Sequence, residues 1–300
     1  MSRVKTTIIG SLLLTLVFSL TGCMALRLGY NNGPQLMWWV VDGYFGFNRD
    51  QAKSVKRVID DWFDWHRNTQ LTEYAALLAS VRQPMMEPTT AAAVCRWEDR
   101  FRELVEPALQ RAIVHFADIV PILEEAQWSQ LDKRYAKNND DMRKEFLQPD
   151  PADRLRAAVK RTVDRAERIY GTLEEPQLRL IASNVAASPF NAEMLLVERQ
   201  RRQRDALQTL RRLVADRADK AQRVAALSAL VQRAERSVEP AYRSYQIRLN
   251  DHNCAMTAQL HNATTPAQRQ QARDNLKGWE DDLRALRIPA VPPPAGQPIN

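Results

Sequence analysis

The sequence predicts an all-α protein, an elongated bundle of long antiparallel helices. Glycine supplies only 9 of 300 residues, under half its usual share, which disfavours turn-rich β architectures. Apolar side chains recur at i, i+3 and i+4 over most of the chain, the period of a helix with one buried face. Proline stands repeatedly at the first position of such a stretch, behind a residue able to cap it. At 45% hydrophobic residues the chain is ordinary for a globular protein, and it is long enough to bury one large core or two modest ones.

Taken in order, Arg3 and Lys5 precede an apolar run from Ile8 to Leu20. Roughly a dozen apolar residues fit the core of a secretory signal, whereas a bilayer-spanning helix needs roughly 20. The run ends in Leu20-Thr21-Gly22-Cys23, which resembles the bacterial lipobox. The resemblance implies cleavage before Cys23 and acylation of its thiol, so that residues 1–22 are a signal peptide and the helical domain sits behind a lipidated N-terminus. The competing reading is an uncleaved membrane helix, for which the run is too short. Met24, rather than Asp, follows the cysteine, which implies the periplasmic face of the outer membrane.

Residues 23–47 form an aromatic leader. Tyr30, Trp38, Trp39, Tyr44, Phe45 and Phe47 lie here with four of the nine glycines. Left in water, such a segment would be a large apolar patch, so it is expected to dock on the domain or sit at a lipid interface. A helical domain spans 48–288, with a subdivision placed near 149 or 188. Asn48 caps a helix running to about Arg82, with Val55, Ile59, Trp62, Phe63 and His66 on its apolar side and, after a slip, Leu71, Ala75 and Leu78. Thr89 or Thr90 caps the next, in which Pro107 should produce a kink or a restart. Asp150-Pro151 and Ser188-Pro189 read as helix starts. From Pro189 toward Val238 the pattern predicts one long helix, about 70 Å at 1.5 Å per residue, with Leu207, Leu210, Val214, Ala221, Val224 and Val231 along its seam. Helices from Pro240 to about Asn262 and Pro266 to about Leu286 follow. The tail, 289–300, is proline-rich and expected to be extended and solvated.

Three pentads mark helix starts: Leu123-Glu124-Glu125-Ala126-Gln127, Leu173-Glu174-Glu175-Pro176-Gln177 and Thr264-Thr265-Pro266-Ala267-Gln268. An acceptor at the second place and Gln three residues on make a capping box. The unequal spacing excludes a solenoid. These 15 residues resemble the Leu-Thr-x-x-Gln motif of small helical periplasmic chaperones. A broader resemblance rests on Arg27-Leu28-Gly29-Tyr30-Asn31-Asn32, then Trp38, Trp39, Asp42, Gly43, Tyr44 and Phe45, with Trp62, Trp65 and His66 downstream. In these the chain is similar to a family of uncharacterised proteobacterial lipoproteins. The likeness implies the envelope address and a helical fold along the whole mature chain, and it assigns no activity.

The formal charge is +7. In the cytoplasm that would suggest nucleic acid; in the envelope the available anions are phospholipid headgroups, lipopolysaccharide phosphates and acidic proteins. Basic residues outnumber acidic ones more than two to one between Arg199 and Arg236. Arg199, Arg201, Arg202, Arg204, Arg211 and Arg212 are therefore the surface expected to meet anionic lipid or an acidic envelope protein, a solvated helix face being the alternative. With Cys23 taken by lipid, Cys95 and Cys254 remain, an even pair in an oxidising compartment and hence a candidate disulfide; two buried free thiols are the alternative.

Signals for chemistry are sparse. Of four histidines, His252 and His261 lie near Cys254, but residues two apart on a helix face different ways, so no metal site is expected. A cysteine nucleophile with a histidine base would need the thiol that the disulfide consumes. No Gly-rich phosphate loop, dinucleotide fingerprint or GxSxG elbow occurs, and no cofactor is expected. Asp60, Asp61 and Asp64 beside Trp62 and Trp65 could suit glycoside hydrolysis on peptidoglycan, though an acidic solvated face beside a buried tryptophan stripe reads the same way. The expectation is a lipid-anchored envelope protein with a non-enzymatic binding, scaffold or chaperone-like role. The alternative is a cell-wall- or lipid-active enzyme with an unrecognised helical site.

Overall fold

In a computed structural model, residues 21–287 are described. The apolar run expected to be a signal core, Ile8 to Leu20, and the proline-rich tail lie outside these bounds. Twelve α-helices and no strand occur among the described residues: α1 Thr21–Asn31, α2 Gly33–Phe45, α3 Arg49–Thr69, α4 Leu71–Arg82, α5 Ala91–Ile119, α6 Glu125–Phe146, α7 Pro151–Tyr170, α8 Glu175–Ala186, α9 Ala192–Ala215, α10 Lys220–Glu235, α11 Pro240–Asn262 and α12 Pro266–Leu286. A single 3-10 turn, Val120–Ile122, joins α5 to α6. The protein is an all-α helical bundle, as expected.

Cross-helix contacts show that neighbours run antiparallel. Asn139 and Gln203 pair on α6 and α9, with Asp132 facing Arg211 further along. Cys95 and Arg102 of α5 meet Cys254 and Asn250 of α11. One core gathers Val55, Ile59, Ile113, Trp128, Leu131 and Leu210 from α3, α5, α6 and α9. A second gathers Tyr170, Leu173, Ile181, Leu260 and Ala272 from α7, α8, α11 and α12.

Two expectations about helix continuity are corrected, and at Pro107 the restart is excluded. The helix from Asn48 is two helices, bent at Gln70, where the apolar register slips: α3 turns its Val55–Ile59 face to the first core, while α4 packs along α12. Pro107 lies inside α5 without ending it. The long helix from Pro189 is a hairpin. α9 starts at Ala192, capped by the Asn191 side chain rather than at Pro189. The chain turns back at Arg217, φ +47, and Asp219 with Gln222 forms a new capping box for α10. Most of the expected seam is nevertheless inward: Leu207, Leu210, Val214, Val224 and Val231 reach the first core from both arms, while Ala221, in the first turn of α10, is exposed.

All three pentads form capping boxes, at Glu124, Glu174 and Thr265. Their glutamines do more than cap. Gln177 Nε2 donates to Gln268 Oε1 at 2.6 Å, and Gln268 Nε2 donates back to Gln177 Oε1 at 2.9 Å. Each amide also donates to a carbonyl two residues before its partner's N-cap, Ala263 and Thr172 respectively. The same exchange joins Gln127 to Gln51, whose box is headed by Asn48, again with donation to the carbonyls two before the partner's cap, Gly46 and Ile122. Two pairs of helix starts, α3 with α6 and α8 with α12, are thus fastened by identical buried amide clasps. Every donor and acceptor in them is used, as burial requires.

Candidate functional site

The leader is docked. At the bend between α1 and α2, Gly33 lies against the Phe63 ring so closely that a Cβ would overlap it, which fixes glycine at this position. From α1, Arg27 Nε donates to Asp282 Oδ1 at 2.6 Å; the Asp282 side chain is 1% exposed and Arg27 is 46% exposed. Arg67 of α3 completes the joint, donating to Asn31 Oδ1 on α1 and to the Leu286 carbonyl at the end of α12. Its guanidinium also lies over the Tyr30 ring. α1 is therefore held between α3 and α12.

His66 sits at the centre of this joint, with Tyr30 Oη 2.8 Å from Nδ1 and Tyr74 Oη 3.3 Å from Nε2. Its ring stacks on Trp62 at 4.6 Å between centroids. A neutral imidazole offers one donor and one acceptor, which two hydroxyls satisfy. Burial disfavours the imidazolium and holds His66 down at about 4. Burial likewise pushes Tyr30 up to about 12, against a smaller opposing pull from Arg67. The joint is thus a neutral tyrosine–histidine network flanked by the Arg67 guanidinium and one ion pair, built to hold a helix rather than to exchange protons near neutrality.

The basic stretch is more committed to structure than its composition suggests. Glu198, buried at 3%, accepts from Arg201 at 2.8 Å and from Arg202 at 2.8 Å. Burial alone would raise its carboxyl, but hydrogen bonds from Arg201, Arg202 and Ser237 outweigh that and hold it near 2. Asp205 binds Arg233 of α10 through both oxygens, clamping the hairpin. Arg211 faces Asp132 at 3.8 Å, and Arg199 is half-buried. Arg204 and Arg212 are exposed and make no ion pair among the described residues. Arg204 lines an open recess of about 320 Å³ with Arg201, Asp205, Gln208 and Arg233.

Cys95 and Cys254 form a disulfide spanning 159 positions. The histidines near it are engaged separately: His252 with the Asn184 carbonyl, His261 with Tyr170 and the Glu87 carbonyl. No group of three metal-ligating side chains occurs among the described residues. Asp60, Asp61 and Asp64 are exposed, while Trp62 turns inward to donate to the Ala108 carbonyl. The structure thus separates those acids from the aromatics that suggested a cleft. α1 runs from Thr21 through Cys23, which puts the expected acylation position at the head of the docked helix.

A family model, described as a family of unknown function, matches residues 43–243. The chain belongs to DUF6279. No curated protein and no solved structure gives a match. The DUF6279 match runs from the end of α2 to the first residues of α11, about two thirds of the chain. α1, most of α2 and α12 lie beyond it, and Arg27 with Asp282 joins two of these outlying pieces. The disulfide likewise ties Cys95, inside the DUF6279 region, to Cys254 outside it.

Some structural residues of the DUF6279 chain escape sequence reading. Phe47-Asn48-Arg49-Asp50-Gln51 obeys the pentad pattern, but it opens with an aromatic and carries Asn as the cap. Glu198 looks like one more surface acid among arginines. Asp282 follows Asp281; only their positions on a helix packed against α1 separate the buried acid from the exposed one.

Proposed function

We propose that the protein is a lipid-anchored component of the cell envelope, acylated at Cys23 and held at the periplasmic face of the outer membrane, where it acts as a binding or scaffold protein rather than as an enzyme. The observation that carries this reading is the docked leader. The lipobox-like run ends at Cys23, and four residues later Arg27 is locked to the buried Asp282, so acyl chains at that cysteine would attach the bilayer to the folded bundle without a flexible spacer. Arg204, on the recess of the α9–α10 hairpin, and Arg212 further along α9 are exposed and offer positive charge to an anionic lipid headgroup or an acidic envelope protein. The buried ionisable groups are spent on fastening helices, which fits a body built to hold its shape while it presents a surface.

Two measurements test the reading. Radiolabelled palmitate should enter the wild-type chain and not Cys23→Ala, with the label in the outer-membrane fraction; an unlabelled wild type overturns the anchor. Crosslinking in intact cells should capture partners that Arg204→Glu/Arg212→Glu loses. Both positions lie outside the Glu198 and Asp205 networks, so the bundle stays intact. Capture unchanged by the double reversal overturns the basic surface.

A further inference from the structure

α2 has apolar side chains on two faces, and the bundle covers only one of them. Trp38, Val41, Tyr44 and Phe45 pack on the first core. On the opposite side, Leu36, Trp39, Val40 and Gly43 follow one another at i, i+3, i+4 and i+7, the spacing of a single helix face. Trp39 is 62% exposed and Val40 53%, and a Cβ placed on Gly43 would meet nothing within 4 Å. Asn32 N donates to the Leu28 carbonyl and Leu36 N to the Asn32 carbonyl, which carries helical register across Pro34. The stripe therefore continues back to Leu28, 66% exposed. No charged residue lies between Arg27 and Asp42. A helix apolar on both sides belongs in an apolar surround, and this one has water on half of it.

We propose that the outer face of α1 and α2, from Leu28 to Val40, lies in the interfacial layer of the lipid bilayer and seats the bundle against it. The proposal rests on the reading of Cys23 as the acylated residue. That residue heads α1, and 17 residues at 1.5 Å each put it no more than about 25 Å from Val40 on α2, so anchored chains keep the stripe close to the membrane. Two further features fit a lipid surface better than a protein partner. An exposed tryptophan at the centre of the face suits the headgroup region, where amphipathic rings are favoured. The adjoining N-terminal half of α3 also carries cations: Lys56 lies over the Trp38 ring at 4.7 Å, and Arg49 and Arg57 are exposed, while Lys53 is paired with Asp50, so that three cations are available to anionic headgroups.

The test uses the full chain reconstituted into phosphatidylethanolamine–phosphatidylglycerol vesicles, with an environment-sensitive fluorophore on Trp39→Cys or, as control, on Ile247→Cys. Ile247 is equally exposed, 62%, but lies on α11, and the native pair is closed as a disulfide and takes no label. At position 39 the emission should shift to the blue and be quenched when the acyl chains carry bromine; at 247 it should do neither. Emission at 39 matching that at 247 overturns the proposal. So does a blue shift without bromine quenching, which would mean that a second copy or another protein covers the face. Palmitate labelling of the same preparation reads the anchor separately, and because an unacylated Cys23 would itself take the fluorophore, a chain without palmitate is labelled in a Cys23→Ser background. A label quenched by bromolipid on a chain without palmitate keeps the seated face and fails the anchor; a palmitoylated chain with its label in water does the reverse.

Discussion

Replacing Arg27 by Met should loosen the leader without unfolding the bundle. Asp282 keeps one ion-pair partner, at 2.6 Å, and is 1% exposed. Removing one member of a fully buried pair costs about 3–5 kcal/mol, because the other charge is left buried and alone. Arg27 is half in solvent, which weakens the pair, so a loss of about 2 kcal/mol is expected. It should fall on α1, whose remaining polar ties are Tyr30 to His66 and Asn31 to Arg67. Local opening should then become about 30-fold more frequent, at 1.4 kcal/mol per tenfold. Hydrogen exchange on peptides covering residues 24–34 reads this directly, with peptides from α9 as the internal control. In Arg27→Met/Asp282→Leu two apolar side chains of similar volume replace the ions, and protection should return to within about threefold of wild type. Unchanged exchange in the single variant would show that packing alone docks the leader. A double variant as fast as the single one would show that the lost stability never came from the stranded carboxylate.

Three shorter expectations follow from the same kind of accounting. His66 is held at about 4 by burial, below its ordinary 6.5 in the unfolded chain; stability is therefore full above 6.5, falls as the pH drops from 6.5 toward 4, and changes no further below that. Solvent screening at the rim of the joint leaves roughly 1–2 kcal/mol lost between pH 7.5 and pH 5, and urea titrations at the two pH values should show this difference shrink in His66→Phe; an undiminished difference refutes the assignment. Gln177→Leu strands the Gln268 amide and the Ala263 carbonyl and should cost about 3 kcal/mol, whereas Gln222→Leu, an exposed capping box with no clasp, should cost under about 1 kcal/mol; equal losses would reduce the buried clasp to ordinary capping. Cys95→Ser opens a closure of 159 positions, worth up to about 5 kcal/mol on the loop-entropy model, so the denaturation midpoint should fall as far as it does for wild type under reductant; a midpoint insensitive to reductant would deny the bridge.

Helix type and most helix starts are legible because their causes are local. Pro151, Pro240 and Pro266 begin helices behind side chains that can cap, and the structure starts α7, α11 and α12 there. Continuity is less legible, because a turn inside an apolar seam leaves the seam intact: Leu210 and Val224 read as one helix and are two arms of a hairpin. Whether Pro107 breaks a helix likewise depends on what packs around α5. The candidate surface is narrowed for a related reason. Composition counts arginines, but Arg201 and Arg202 are answered by Glu198 three and four residues away, a pairing visible in the sequence once helical spacing is applied to charge as well as to apolar residues. Asp282 is out of reach of any such rule, since its partner lies 255 positions away.

The extent of the family match sharpens what the leader is for. α1 and α12 both lie outside residues 43–243, yet they hold each other through Arg27 and Asp282 and are jointly gripped by Arg67 of α3, which lies inside. A helix that served only as a spacer between lipid and domain would need no such grip, since a flexible polar tether tolerates any length. Fixing α1 costs conformational entropy for every residue ordered and commits a buried carboxylate, so the arrangement is accounted for by a requirement on orientation rather than on reach. On the proposed acylation of Cys23 and seating of the stripe from Leu28 to Val40, two attachments up to about 25 Å apart would remove the freedom to swing. Labels at Arg204 and Ile247 should then report fixed, different heights above the bilayer, and those heights should merge into a broad distribution in Arg27→Met; equal and broad heights in the wild type would mean that the body pivots on its lipid and that the docked leader does not set its posture.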